Sequence, residues 1–271
     1  MTHAHRTSSP TSVGRRDVTE WRSPAGRRLA DRHQRLVDRV GAHRALIGLL
    51  AVGGGVAAGA TWLAATIYDD VADRNGIASL DQPALALAKR LRSPALDGTA
   101  AAIAHGFGPV GMPLLAAAAG GAFALEQRKA APFTLLAAAG LGSLGVTVAG
   151  KRIIHRHRPG RRDAIPPYER SPSFPSGHTL NATTIAGIVA YLLMLRQRRQ
   201  APQVVVAGSA LATIAGVGLS RVLLGAHWFT DVAVGWTTGA GWLATVITVH
   251  RLHLTTEHGR TPAATDIDGR R

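Results

Sequence analysis

Long apolar runs separated by short polar segments dominate the chain from about residue 45 to residue 250. The first run, 45–68, contains no charged residue and is long enough to cross a bilayer as a tilted helix. Charged residues, glycine or proline separate it from the runs that follow. The pattern predicts an all-α protein, a bundle of six transmembrane helices, whose other five spans cover 110–125, 131–150, 178–195, 203–219 and 228–249.

The polar ends of the chain differ from this apolar domain. Residues 1–44 are rich in Arg, Ser, Thr and Pro, and we interpret them as a disordered basic tail. A basic helix on anionic lipid, from Arg27 to Arg44, is an alternative for part of this segment. Residues 45–250 form the predicted membrane domain, and 251–271 a flexible C-terminal tail.

The connection between the first two predicted spans contains one further helix signal. Asp81-Gln82-Pro83 is typical of a helix start, and the apolar positions that follow it predict a short helix. That helix lies either in the membrane interface or on an ordinary protein surface.

Charge orients the predicted bundle. The formal net charge is +15, and the arginines lie between apolar runs instead of along an aromatic-rich soluble face, which favours a membrane over nucleic acid as partner. Basic residues in 1–44, 128–129 and 196–199 fall on one side of the six-span topology. The positive-inside rule makes that side cytoplasmic. We therefore predict a multi-pass protein of the inner or plasma membrane with both termini in the cytoplasm.

The strongly basic loop 151–170 lies on the opposite, extracytoplasmic side. Because the positive-inside rule disfavours positive charge on that side, these basic residues indicate an anionic ligand at that face. The ends of four spans bring Lys151, His178, Arg221 and His227 to the same face. The sequence contains no cysteine, which excludes thiolate catalysis and cysteine-based metal sites.

Several of these residues are suited to binding a phosphoryl group. Lys151 and Arg158 are seven residues apart, which on a helix places them on one side. Ser176 and Gly177 open the fourth span, where free backbone N–H groups and the helix dipole attract anions. Arg221 adds a guanidinium that can bind two phosphate oxygens at once.

The remaining polar residues are suited to nucleophilic chemistry. His227 and Asp231 are four residues apart at the start of the sixth span and share a helix face. A carboxylate that keeps one ring nitrogen protonated leaves the other free as a nucleophile. These residues therefore predict phosphoryl transfer through a phosphohistidine, in which His178 protonates the leaving oxygen and then activates water. The cations already supply the positive field, so neither a metal nor another cofactor is expected.

Three elements of the chain resemble the signature of the type 2 phosphatidic acid phosphatase (PAP2) superfamily, which includes vanadium haloperoxidases and bacterial acid phosphatases. These elements are Lys151-x6-Arg158-Pro159, Pro175-Ser176-Gly177-His178 and Ser220-Arg221-x5-His227-x3-Asp231. The six-span layout is similar to the membrane-bound lipid phosphatases of the family. The resemblance implies His227 as nucleophile, His178 as acid and base, Asp231 as the partner of the nucleophile, and Lys151, Arg158, Ser176, Gly177 and Arg221 as phosphate ligands.

Motifs and topology together predict an integral membrane phosphatase that hydrolyses a lipid phosphate or pyrophosphate at the extracytoplasmic leaflet. Phosphatidic acid, phosphatidylglycerol phosphate and polyprenyl (pyro)phosphates all remain open as substrates. The alternatives are a lipid phosphotransferase of the same fold, a lipid-phosphate binding or transport protein without turnover, and a vanadium-dependent haloperoxidase, against which the apolar spans argue. The small-residue pairs Gly55-x3-Gly59 and Gly235-x3-Gly239 permit close helix packing, either within the chain or in a homodimer.

Overall fold

The computed structural model describes residues 12–13, 16–71, 77–197 and 199–260. Within these ranges the regular structure is helical apart from one antiparallel pair of two-residue strands, β1 (Ser12–Val13) and β2 (Arg16–Asp17). The predicted all-α class is therefore confirmed. In chain order the helices are α1 (Pro24–Val40), α2 (Ala42–Val71), a 3-10 turn (Ile77–Leu80), α3 (Asp81–Leu91), α4 (Pro94–Gly106), α5 (Gly111–Gln127), α6 (Ala131–Ile154), α7 (Gly177–Met194), α8 (Gln200–Leu223) and α9 (Phe229–Arg260).

The predicted multi-pass membrane architecture is also confirmed, although the count of six spans is approximate. Helices α4 and α5 meet at a bend of 59° and form one further span if they are taken together. Among the described residues, four segments are long and apolar enough to cross a membrane by themselves: Ala42–Trp62, Ala131–Ile154, Gln200–Leu223 and Phe229–Thr256.

Helix α7, predicted as the fourth span, is the central helix of the bundle and is not among those four segments. It packs against α6, α8 and α9, and Leu180 and Ile188 are fully buried in the apolar core. Thr183 and Thr184 are buried too, and their hydroxyls donate to backbone carbonyls one turn earlier. Since α7 is surrounded by protein, it tolerates polar side chains that a lipid-facing helix would exclude.

One of the two small-residue pairs brings α9 onto α7. A methyl group on Gly235 would lie 2.9 Å from Cβ of Thr179, and one on Gly239 would lie 2.8 Å from Cβ of Thr183. This pair therefore packs within the chain. Methyl groups on Gly55 or Gly59 of α2 would meet no atom of the described chain within 4 Å.

Helix α1 lies inside the segment 1–44 that we interpreted as a disordered tail. The hydroxyl of Ser23 caps its first turn, and its inner face buries His33 and Val37 against neighbouring helices. The indole of Trp21 donates to Thr255 on α9, which fixes the chain ahead of α1. Residues 1–11, 14–15 and 261–271 of the predicted tails lie outside the described residues.

Candidate active site

The site lies at one end of the bundle, where α6 and α8 finish and α7 and α9 begin. The loop 155–176 runs over this end and contributes side chains to it. Four helix ends and one loop therefore supply the polar groups, as the topology read from the sequence requires.

Lys151 and Arg158 reach the site from different directions. Helix α6 ends at Ile154, and His155 adopts a left-handed conformation with φ of 47°. The prediction that Lys151 and Arg158 share one side of a single helix is wrong, because the left-handed His155 ends α6 before the chain reaches Arg158.

Hydrogen bonds define where Lys151 and Arg158 lie. Lys151 donates from the end of α6 to the hydroxyl of Ser171 over 3.1 Å and to the carbonyl of Pro172. Arg158 extends from the loop, and its Nη1 lies 3.1 Å from Nε2 of His227. Both cations therefore border the site, and Arg158 lies next to the predicted nucleophile.

Ser176 and Gly177 form the start of α7 against α6 and α9. Ser176 is the fully buried N-cap residue, and its backbone N–H donates to the carbonyl of Asp231 over 3.2 Å. A methyl group on Gly177 would lie 2.9 Å from Cγ2 of Thr147 on α6. A glycine is thus needed where the start of α7 meets α6, and this contact holds the helix N-terminus at the site.

His227 is buried, with one ring nitrogen toward Asp231 and the other toward Arg158. Its Nδ1 lies 3.5 Å from Oδ2 of Asp231. Since an arginine can only donate, the contact from Arg158 makes Nε2 the acceptor and places the ring proton on Nδ1. Burial lowers the pKa of His227 to about 4 although Asp231 opposes this change, so the ring is neutral at pH 7. Nε2 therefore carries the lone pair that a nucleophile needs, and in this structure Arg158 donates to it.

Glu169, which the sequence analysis did not single out, occupies the centre of the site. Its Oε2 accepts a hydrogen bond of 2.7 Å from Arg158, and its Oε1 accepts one from Arg221. Nδ1 of His178 lies 3.6 Å from Oε1, and Nε2 of His227 lies 3.8 Å from Oε2. The carboxylate thus lies between both histidines and both arginines.

The electrostatics of the site favour anions. Burial alone would raise the pKa of Glu169, but His227 when it is protonated, Arg221 and Arg158 lower it to about 2. The Arg221 side chain is fully buried, and its Nε and Nη1 have no hydrogen-bond partner among the described residues. Unpaired guanidinium donors at this depth are costly, and a second acceptor beside Glu169 would satisfy them.

A second set of polar residues lies behind Asp231. Arg156 of the loop bridges Asp231 and Asp81, and Ser173 donates to Asp231 from the other side. Sequence reasoning missed this set, because Asp81 has the pattern of a helix start and Arg156 is one of several arginines in a basic loop. No sequence spacing relates an aspartate on α3 to the start of α9.

A cavity of about 890 Å³ opens from the site toward the side of the bundle. Glu169 and His178 lie at its polar end, and the bent pair α4 and α5 faces α6 and α7 across it. Toward the outside its walls are apolar, and they reach the exposed side chains of Val110, Leu141 and Leu144. Such a shape fits an amphiphile with an anionic head and an apolar tail.

Among the described residues, no three His, Cys, Asp or Glu side chains lie close enough together to hold a metal ion. Metal independence stays a prediction.

Comparison with known sequences identifies the segment that carries the site. Residues 131–254 match the sequence profile of the PAP2 superfamily. This segment is a PAP2 domain. The domain contains all eight site residues that the sequence predicted, and the predicted superfamily is confirmed.

One known sequence and one solved structure are similar to this chain. The chain is 36% identical over 92 residues to phosphatidylglycerophosphatase B of Bacillus subtilis (strain 168), a match that covers 33% of this chain and 43% of that protein. The crystal structure of a transmembrane PAP2 type phosphatidylglycerolphosphate phosphatase from Bacillus subtilis matches with a TM-score of 0.62 and 26% identity. That match covers 70% of this chain and 93% of the other. The similar fold therefore extends beyond residues 131–254, although not over the whole chain.

Proposed function

We propose that this protein is an integral membrane phosphatase that removes phosphate from a lipid phosphate or pyrophosphate through a phosphohistidine. The observation that carries the proposal is the cavity that leads from Glu169 and His178 to apolar side chains on the outside of the bundle. A soluble phosphate ester would need only the polar end. A lipid needs the apolar walls too, since its chains stay in contact with hydrocarbon while its head reaches the cations.

Catalysis begins when Nε2 of His227 attacks phosphorus and the bond from phosphorus to the leaving oxygen breaks. Arg158 and Arg221 hold the phosphoryl oxygens and stabilise their negative charge, with Lys151 at the border of the site. His178 acts in its protonated form: it donates this proton to the leaving oxygen, which departs as the lipid alcohol, and the ring becomes neutral. In the second step His178 takes a proton from water, which attacks the phosphohistidine and releases phosphate.

Substrate entry requires Glu169 to leave the two arginines. Its carboxylate and a phosphate would bind to the same donors, and two anions at that distance repel each other strongly. Glu169 belongs to the loop 155–176, so we propose that movement of this loop accompanies binding.

A phosphatidylglycerol phosphate is the first substrate to test, because the similar sequence and the similar solved structure are both named for that lipid. Phosphatidic acid and polyprenyl phosphates present the same reacting group and belong in the same panel. The walls of the cavity select among these lipids, because the phosphate site contacts only the group that they share.

We further propose that the site faces the extracytoplasmic side. The opposite end of the bundle carries Arg128, Lys129 and Arg196 in its turns, together with the basic helix α1. By the positive-inside rule that end and both termini are cytoplasmic.

The test is single-turnover labelling with dioleoyl phosphatidylglycerol phosphate carrying ³²P in the terminal phosphate. The wild-type protein should form an acid-labile, base-stable phosphoenzyme and release phosphate with EDTA present. His227→Ala should lose both, with a fall in kcat of at least about 10³-fold. The matched control is His43→Ala, an exposed histidine of α2 that should keep wild-type rates.

Each other outcome identifies a different function. Binding of the lipid without release of phosphate or label by the wild-type protein would contradict the enzyme and favour a binding protein. Transfer of label to an added alcohol in preference to water would identify a phosphotransferase. Strong dependence on added metal, or bromide oxidation with vanadate, would contradict the cation-only mechanism.

A further inference from the structure

Asp81 reaches the site from outside the PAP2 domain. It stands in the first turn of α3, yet its side chain is buried and turns to the start of α9 instead of capping its own helix. Oδ1 accepts a hydrogen bond of 2.9 Å from the backbone N–H of Thr230. Oδ2 accepts from the hydroxyl of the same residue over 2.9 Å and from Arg156 over 2.6 Å.

Arg156 connects this aspartate to the predicted partner of the nucleophile. One terminal nitrogen of its guanidinium donates to Asp81, and the other donates to Oδ1 of Asp231 and to the hydroxyl of Thr230. The guanidinium also lies over the ring of Trp228, 5.6 Å from its centre. Only a tenth of the Arg156 side chain is exposed, so these contacts fix its position.

The two oxygens of Asp231 are thereby assigned to different partners. Oδ1 is held by Arg156, whereas Oδ2 accepts from Ser173 and from the backbone N–H of Trp228 and faces Nδ1 of His227. Fixing Oδ1 fixes the plane of the carboxylate and therefore the position of Oδ2 beside the imidazole.

Charge gives Asp81 a second role. Arg156 and Asp231 by themselves would form a neutral pair, and a neutral pair does little to stabilise the positive charge that His227 gains when it attacks phosphorus. With Asp81 on the other side of Arg156, the group of three carries a net charge of −1. The cation thus orients Asp231 without cancelling its effect on the imidazole.

We infer that Asp81 and Arg156 are positioning residues that hold Asp231 against His227 and set the net negative charge behind the nucleophile. The inference rests on the proposed phosphatase function. Neither residue contacts the phosphate position, so their effect is on kcat and on the pH dependence, and the KM for the lipid stays unchanged.

The direction of the pH effect follows from charge. His227 attacks in its neutral form, so activity falls on the acidic side as the ring takes up a proton. In Asp81→Asn the lost negative charge weakens proton binding to His227, so the acidic limb of kcat/KM moves to lower pH. In Arg156→Gln the lost positive charge moves the limb to higher pH. We expect displacements of about 0.5–1 pH unit and a fall in kcat of at least about tenfold in each.

The other groups that face His227 are the same in every variant. They are Asp231 on α9, Arg158 and Glu169 on the loop, and His178 at the start of α7. The ionisation of the substrate is common to all variants as well. A difference between variants therefore reports the charge at positions 81 and 156.

Two further variants separate charge from folding. Asp81→Asn combined with Arg156→Gln keeps the net charge of −1 and should return the acidic limb to its wild-type position although kcat stays low. Arg156→Lys keeps the charge and loses the two-armed contact, so it should lower kcat without displacing the limb.

The matched control is Asp163→Asn. Asp163 lies on the same loop and pairs with Lys89 of the same helix, α3, but away from Asp231. Its substitution should leave kcat, KM and the pH profile at wild-type values. Thermal unfolding in detergent shows which variants keep the fold.

The experiment uses the full chain in detergent micelles with dioleoyl phosphatidic acid and dioleoyl phosphatidylglycerol phosphate as probes. An inactive wild-type protein would contradict the proposed function, whereas an active wild type with an Asp81→Asn variant of unchanged kcat and pH profile would overturn this inference alone. The inference is also overturned if the single variants Asp81→Asn and Arg156→Gln both fold and their acidic limbs move in the same direction or do not move.

Discussion

The carboxylate of Glu169 accepts a hydrogen bond of 2.7 Å from the guanidinium of Arg158. The same carboxylate binds the buried Arg221, so an acidic side chain of the protein itself occupies the donors that we propose for phosphate. A phosphate that binds these donors, as we propose, must displace Glu169, and we expect the cost of the displacement to reduce its affinity.

Replacing Glu169 with glutamine should strengthen the binding of simple phosphate analogues. The amide has the size of the carboxylate but no charge, so it competes less well for the two guanidinium groups. We expect the inhibition constants of inorganic phosphate and vanadate to fall about tenfold in Glu169→Gln. Inhibition of phosphate release from a lipid substrate measures both constants.

The control for this substitution is Glu126→Gln. Glu126 also pairs with an arginine, Arg196, but at the opposite end of the bundle. It should leave both inhibition constants unchanged. Weaker inhibition in Glu169→Gln would show that the carboxylate supports ligand binding and does not compete with it.

Acid should destabilise the folded protein through His227. Burial lowers its pKa in the folded state to about 4, against an ordinary value of 6.5 that applies to the unfolded chain. Between these values the unfolded chain binds the proton and the folded protein does not, so the free energy of unfolding falls as the pH falls from 6.5 to 4. This one residue accounts for about 3 kcal/mol over the whole window.

Thermal unfolding in detergent at pH 7.5 and pH 5 measures this effect. The wild-type Tm should fall between the two pH values, and His227→Gln should lose part of that fall because glutamine does not titrate. The other ionisable groups contribute equally to both proteins. Equal falls in Tm would show that the folded protein protonates His227 as readily as the unfolded chain does.

Replacing Gly235 with alanine should disturb the site through packing alone. The added methyl group would lie 2.9 Å from Cβ of Thr179 and 3.1 Å from the carbonyl oxygen of Ser176. Relief of this contact moves α9 away from the start of α7, and with it His227 away from His178. We expect a loss of about 1–3 kcal/mol in stability and a clear fall in kcat.

Gly241→Ala is the matched control for that packing effect. Gly241 belongs to the same helix, and a methyl group there would meet no described atom within 4 Å. Since alanine favours helix more than glycine does, this variant should unfold at the same or a higher temperature. Equal behaviour of the two variants in unfolding and in turnover would contradict the packing argument.

Much of the site geometry follows from the order of the apolar runs. Spans that alternate in direction must bring the end of α6, the start of α7, the end of α8 and the start of α9 to one side, and this places Lys151, His178, Arg221 and His227 together. The conformation of the loop could not be predicted from the sequence, because the seven-residue spacing of Lys151 and Arg158 fits a continuous helix as well as it fits the observed loop. The left-handed His155 ends that helix early, and no pattern indicated this.

The sequence by itself determined the class of fold, the superfamily and the end of the bundle where the polar groups meet. These properties depend on hydrophobic runs and on short motifs, both of which are local along the chain. The tertiary structure alone placed Glu169 between the arginines and Asp81 behind Asp231. The contacts of Glu169 with Arg158 and Arg221 join residues 11 and 52 positions apart, and those of Asp81 with Arg156 and Thr230 join residues 75 and 149 positions apart. They depend on side-chain direction, which the periodicity of a sequence does not specify.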